Sequence, residues 1–161
     1  MKYGRYDRRN FRDPGEERAL AFLESRGHIL LRHNYHVRFG EIDLITAVPD
    51  EGFRLHASEV KAWSGDSQAP FVHPLQALNA RKRGVMRRVM ESFRLHASAG
   101  AGDLFSIART ASASGERPNS PEPALILARA GCTLPLNELD VCFDLVWVHA
   151  DGVCEYFPDL F

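Results

Sequence analysis

At 161 residues, with 45% apolar and 25% charged side chains, the chain has the length and composition of one globular domain (1–161) with a core of useful size. A net charge of −1, from 20 Lys/Arg against 21 Asp/Glu, argues neither for nor against a nucleic-acid partner. No stretch approaches the roughly 18 apolar residues of a membrane span and the N-terminus lacks the apolar run of a signal peptide, so a cytoplasmic protein with no membrane partner is expected.

Charge is unevenly spread: residues 1–100 hold 17 Lys/Arg and 12 Asp/Glu (+5), residues 101–161 hold 3 and 9 (−6). That leaves room for a basic face on the first part, and an ordinary solvated surface gives the same count. Residues 1–12 carry Lys2, Arg5, Arg8, Arg9 and Arg12 against Asp7, which suits either a phosphate-contacting arm or a frayed terminus. Asp13-Pro14-Gly15-Glu16 predicts a helix start, with Asp13 as N-cap, Pro14 in the first helical position and Glu16 completing a capping box. The helix is predicted over 14–26, stopping at Gly27, with Ala19, Leu20 and Leu23 as its apolar stripe. Glu16 lies three and four residues before Ala19 and Leu20, so it either caps the helix or leans along the buried stripe over a sheet.

Strands are predicted at 28–32 (with 34–36 trailing), 41–48 and 53–62, as a meander whose second hairpin turns through 48–52. Gly40 is read as allowing a tight approach to Glu41. Side chains alternate along a strand, so Glu41 and Asp43 share one face and Glu59 and Lys61 another. If the hairpin pairs, three carboxylates and one ammonium meet on a single patch. Such a patch repels itself unless a cation sits in it. Asp43 and Glu59, with the Val60 carbonyl, are oxygen donors suited to Mg²⁺ or Mn²⁺; Lys61 points at the same patch, where it can orient a water or neutralise developing charge. Standing alone, an Asp–x₁₅–Glu–x–Lys pattern also describes a surface salt bridge on a strand.

Residues 64–73 read as a loop and 74–97 as a helix with Leu75, Leu78, Val85, Met86, Val89 and Phe93 on its core face. Lys82 falls on that apolar stripe, among Arg81, Arg83, Arg87, Arg88 and Arg94. The six cations face Glu91 alone, which suits either a phosphate-binding helix holding DNA through Arg81, Lys82 and Arg87 or a solvated face. Residues 98–139 are expected to form a mobile insertion, Ser-, Ala-, Gly- and Pro-rich in its first part, with a short ordered piece at 104–107 and an edge strand at 124–128. A β-prone run at 141–149 and another at 153–157 flank Asp151-Gly152, a hairpin signal. Cys132, Cys142 and Cys154 are odd in number and lack CxxC spacing, so reduced thiols are expected, not a disulfide frame or a zinc site. The hexapeptide Phe-Arg-Leu-His-Ala-Ser occurs at 53–58, where it is read as strand, and at 93–98, where it is read as helix end.

The stretch GEERALAFLESRGHILLRHNYHVRFGEIDLI, followed by SEVK and later CFDLVWV, resembles the YraN-type family of small bacterial endonuclease-like proteins, in the restriction-endonuclease-like PD-(D/E)xK nuclease superfamily. The resemblance covers 15–96 and 140–161. It implies an α/β fold with an α-β-β-β-α-β core, a mixed central sheet flanked by helices, and metal-dependent hydrolysis of DNA, including branched or junction DNA. It also implies that Asp43, Glu59 and Lys61 stand at the catalytic positions, with Glu16 matching the helix glutamate and Glu41 the extra acid. His36, Trp63 and Cys142 stand where the family usually has arginine, which removes three accessory cations and opens the alternative of a DNA-binding module without turnover. Nucleases of this kind often work as homodimers. A third reading is a scaffold protein with a salt-bridged acidic strand edge.

Overall fold

A computed structural model describes residues 13–62, 73–99 and 122–161. The 1–12 arm, Trp63, the loop at 64–72 and the short piece expected at 104–107 lie outside the described residues. The elements are α1 (Pro14–Ser25), β1 (Ile29–Val37), β2 (Gly40–Val48), β3 (Arg54–Ala62), α2 (Ala80–Ala99), α3 (Pro123–Arg129), β4 (Val141–Val148) and β5 (Cys154–Phe157). One five-stranded sheet runs β1-β2-β3-β4-β5. β3 and β4 are parallel and the other pairs antiparallel. This mixed sheet between helices is an α/β fold compatible with a restriction-endonuclease-like core. Among the described residues, no helix is long and apolar enough to cross a membrane.

α1 begins as its sequence dictates: Gly15 N–H donates to Asp13 Oδ1 at 2.7 Å. Its buried Ala19, Leu20 and Leu23 cover Leu30, Leu44, Val60, Val146 and Val148 on one face of the sheet. The other face carries the larger core, where Leu55, Ala57 and Leu145 meet Met86, Val89, Met90 and Phe93 of α2 and Leu127 of α3. The sheet is therefore the middle of three layers. The repeated hexapeptide takes both conformations: Leu55 and Ala57 are buried at strand spacing in β3, Phe93 and Ala97 at helical spacing in α2.

Three expectations are corrected. The predicted 74–97 helix is a 3₁₀ turn, Pro74–Ala77, followed by α2 from Ala80. Leu78 leaves helical geometry at ψ 56°, and Asn79 Oδ1 caps α2 by accepting from Lys82 N–H at 2.9 Å. The edge strand at 124–128 is the helix α3, started by Pro123 in its first position and burying Pro123 and Leu127 one turn apart. The described part of the 98–139 stretch is built into the fold, because Leu127, Leu136 and Leu139 are 2–3% exposed within the main core.

Two glycines set distances between layers. A Cβ on Gly15 would lie 2.6 Å from Ala62 Cβ, so the start of α1 sits hard against the end of β3. A Cβ on Gly40 would collide with Val85 Cγ1; this glycine is needed for the approach of α2, more than for a turn.

Candidate metal and nuclease site

The site forms where β2 and β3 part. Their ladder runs from Val48↔Arg54 to Leu44↔Ser58. Ile42 packs in the core beneath α2 and Leu44 in the core beneath α1, so simple alternation breaks at Asp43. Just past the last pair, Asp43 Oδ2 accepts the Val60 N–H at 2.7 Å, taking a donor that the ladder leaves over. The Asp43 carboxylate is thus fixed to the peptide unit beside Glu59.

Glu59 shares a face with Leu55 and Ala57 and is 3% exposed. Lys61 Nζ lies 2.8 Å from its Oε1 and Lys82 Nζ 2.7 Å from its Oε2. Each oxygen of the buried Glu59 carboxylate is thus charge-compensated by its own ammonium. The cap on Asn79 explains why Lys82 reaches the sheet, for it puts that lysine in the first turn of α2. From the opposite layer, the tight Gly15–Ala62 packing delivers Glu16. Its Oε2 accepts from Asn34 Nδ2 at 2.9 Å, so Glu16 leans over the sheet and not back to the helix cap. Asn34 can do this because it sits in the left-handed region, φ 47°, in mid-strand. Glu41 is exposed at the rim, 3.4 Å from His36 Nδ1.

Crowding shows in the acidities. Burial, then the charge of Glu59, pushes the Asp43 carboxyl up to about 7 in spite of the Val60 hydrogen bond. Glu16 is raised by burial, with Asp13, Glu41 and Glu59 adding to it and the Asn34 bond opposing. Burial lowers the Lys61 ammonium, but the hydrogen bond and charge of Glu59, with Asp43 and Glu41, leave it above its ordinary value. Lys61 therefore holds its proton and enters the site as a cation.

Asp43, Glu59, Lys61 and Lys82 are brought together, Glu16 and Glu41 border them, and Arg81 is exposed on the first turn of α2. Arg87 is turned to the C-terminus, its guanidinium 5.0 Å from the centre of the Phe161 ring. Asn34 was missed by sequence reasoning, and an Asn inside a strand-like run was its only signal.

A second group, also missed, lies on the other face of β3. His56 Nδ1 is 2.7 Å from Asp144 Oδ2 and 3.1 Å from Cys142 Sγ. All three residues are buried, and their donor atoms lie within 4.8 Å of one another, so they can hold a metal ion. Burial and Asp144 push the Cys142 thiol up to about 12. Nearby, burial and the charge of His56 lower the His28 imidazole to about 4. The parallel pairing His56↔Cys142 and Ser58↔Asp144 brings these residues together, across sequence separations that no short motif spans.

A mixed sheet with acids at the splayed end of a hairpin, a lysine two residues on and a helix glutamate above is compatible with the PD-(D/E)xK-like class. The family model described as "Uncharacterised protein family UPF0102" matches residues 15–148. The chain belongs to that family, also called the YraN family, a member of this nuclease-like superfamily. It is similar to a UPF0102 protein of Campylobacter concisus, 43% identical over 61 residues, or 38% of this chain and 52% of the relative. It also matches UPF0102 proteins of Alkaliphilus oremlandii (34% over 89 residues; 55% of this chain, 71% of the relative) and Caldicellulosiruptor saccharolyticus (31% over 87; 54% and 69%). The chain thus spans about half the length of the Campylobacter relative and about 70% of the other two.

Proposed function

We propose that the chain is a nuclease that hydrolyses DNA phosphodiesters, branched or junction DNA included, using Mg²⁺ or Mn²⁺. The observation that carries this reading is the enforced closeness of acids: Glu59 is 3% exposed, and its charge helps push the Asp43 carboxyl up to about 7. Such an arrangement becomes favourable when a doubly charged ion shares the oxygens, and an all-oxygen donor set suits a hard ion. The donors would be Asp43, Glu59 and the Val60 carbonyl, with Glu16 and Glu41 as supports. Bound there, the ion supplies positive charge to the phosphate and a more acidic water. Lys61, 44% exposed beyond its ion pair, can follow the substrate, orient the attacking water through its N–H groups and neutralise the charge that develops. Arg81 and Lys82 hold the flanking phosphates, Arg87 joins them only by leaving the Phe161 ring, and a homodimer would allow both strands to be cut.

The test is nicking of supercoiled plasmid and of a four-way junction by purified protein with Mg²⁺ or Mn²⁺. Metal-dependent cleavage that falls by roughly a hundredfold or more in Glu59→Gln and Lys61→Ala, both still folded by circular dichroism, is expected. Unchanged cleavage in those variants overturns the reading. One observation favours a module that binds DNA without cutting it: both oxygens of Glu59 already face an ammonium, at 2.8 and 2.7 Å. Salt-dependent binding with no cleavage in either metal would decide for that module.

A further inference from the structure

We propose that His56, Cys142 and Asp144 form a structural site for a borderline-soft divalent cation of the zinc class, on the face of β3 opposite Glu59. The donor set is one imidazole nitrogen, one thiol sulfur and one carboxylate oxygen, on residues 3%, 1% and 0% exposed. Mixed N/S/O donors select zinc-like ions over Mg²⁺, and the all-oxygen group at Asp43 and Glu59 does the reverse. The two faces of one strand therefore sort ions by donor type.

Geometry supports the assignment. With metal–ligand distances of roughly 2.0–2.3 Å, tetrahedral ligands stand about 3.3–3.6 Å apart. The corresponding separations are 2.7 Å between His56 Nδ1 and Asp144 Oδ2 and 3.1 Å between Nδ1 and Cys142 Sγ. For these two pairs the side-chain ends need to spread by roughly half an ångström, and the third pair, Cys142 Sγ and the Asp144 carboxylate, lies within 4.8 Å. His56 Nδ1 faces Asp144 Oδ2, Cys142 Sγ and, at 3.3 Å, the Tyr156 hydroxyl, but carries at most one proton. The Cys142 thiol donates to the Leu55 carbonyl at 3.6 Å, a weak bond that a thiolate would give up. A cation would satisfy the three donors together, and thiolate plus carboxylate would balance its charge.

The surroundings are those of a held site. Asp144 Oδ1 accepts the Asp159 N–H at 2.9 Å, and its Oδ2 accepts the Tyr156 hydroxyl at 2.6 Å. His56 Nε2 faces Glu51 Oε2 at 3.3 Å, which fixes the imidazole with Nδ1 inward. These outer partners orient ligands as they do around bound metals. The Glu51 side chain is 52% exposed, so the His56 edge of the site is the one that borders solvent.

The test uses the Cys132→Ser/Cys154→Ser variant of the full chain, in which Cys142 is the sole thiol, titrated with Co²⁺ as spectroscopic probe and then Zn²⁺. Expected is a thiolate-to-cobalt charge-transfer absorption that saturates at one Co²⁺ per chain, disappears on adding Zn²⁺ and persists when Glu59→Gln is added. Adding Cys142→Ser abolishes it. In the wild type, Zn²⁺ at a hundredfold over its Kd raises Tm by about 5–10 °C. No such absorption in the sole-thiol variant, or absorption retained after Cys142→Ser, overturns the proposal. Because the readout needs sulfur, it is independent of whether Asp43 and Glu59 bind Mg²⁺ or cut DNA.

Discussion

Asp43→Asn probes the charge crowding directly. A carboxyl that titrates at about 7 in the fold against an ordinary 3.8 costs the ionised fold at most about 4 kcal/mol, at about 1.4 kcal/mol per tenfold change in acidity. Asp43 is only half-buried and shares its shift with Glu59, so about 2 kcal/mol is the working figure. Because the folded value lies above the unfolded one, the fold binds the extra proton between about pH 4 and pH 7. The cost is absent below that window, grows as pH rises through it and is complete above it. Asparagine keeps an oxygen for the Val60 N–H and discards the charge. Thermal melts in chelator should therefore show Asp43→Asn raising Tm by about 4–8 °C near pH 8.5 and by much less near pH 4.5. The wild type should recover a similar gain on adding Mn²⁺ at the higher pH, and the variant should not. A Tm that falls at the higher pH, or an equal change at both, would refute the electrostatic account.

Lys82→Met removes the ammonium 2.7 Å from Glu59 Oε2. The metal-free protein should lose about 1–2 kcal/mol, between the values for exposed and for buried pairs, while calorimetry should show Mn²⁺ binding tightened by about tenfold as the competing cation goes. Weaker Mn²⁺ binding would mean that Lys82 organises Glu59 instead of competing for it. Gly15→Ala places a methyl 2.6 Å from Ala62 Cβ, two backbone-anchored atoms that cannot rotate away. Urea melts should show a loss of about 1–3 kcal/mol, largely restored in Gly15→Ala/Ala62→Gly; no restoration would locate the strain elsewhere.

How far the sequence is legible depends on whether a residue's partners lie on its own periodic element. α1 was readable because cap, proline and apolar stripe all sit within it, and the 41–48 and 53–62 strands because alternation is a local property. The shared face of Glu59 and Lys61 was readable for the same reason, and Lys82 announced itself as a charge on an apolar stripe, whereas the break in alternation at Asp43 left no local sign. The start of α2 was misjudged because Leu75 and Leu78 keep helical spacing across the break at Leu78, and only the Asn79 cap marks the restart. α3 was misjudged because a short apolar run does not declare its period; burial of Pro123 and Leu127 one turn apart decided for helix. Gly15 and Asn34 carry roles that belong to Ala62 and Glu16, and no spacing records such a debt.

The His56 group was the least legible, since its ligands meet only through the parallel register of β3 and β4. Yet once that register is known, alternation assigns both groups without further information. Residues 56 and 59 differ by an odd number of positions and so lie on opposite faces of β3. The imidazole cannot join the carboxylates across the backbone of its own strand, and Lys82, descending from α2, cannot reach Asp144. One register shift of β3 would exchange the two faces and leave Glu59 under the apolar residues of α1, which is why the buried Leu55 and Ala57 beneath α2 fix the chemistry as firmly as the charged residues express it.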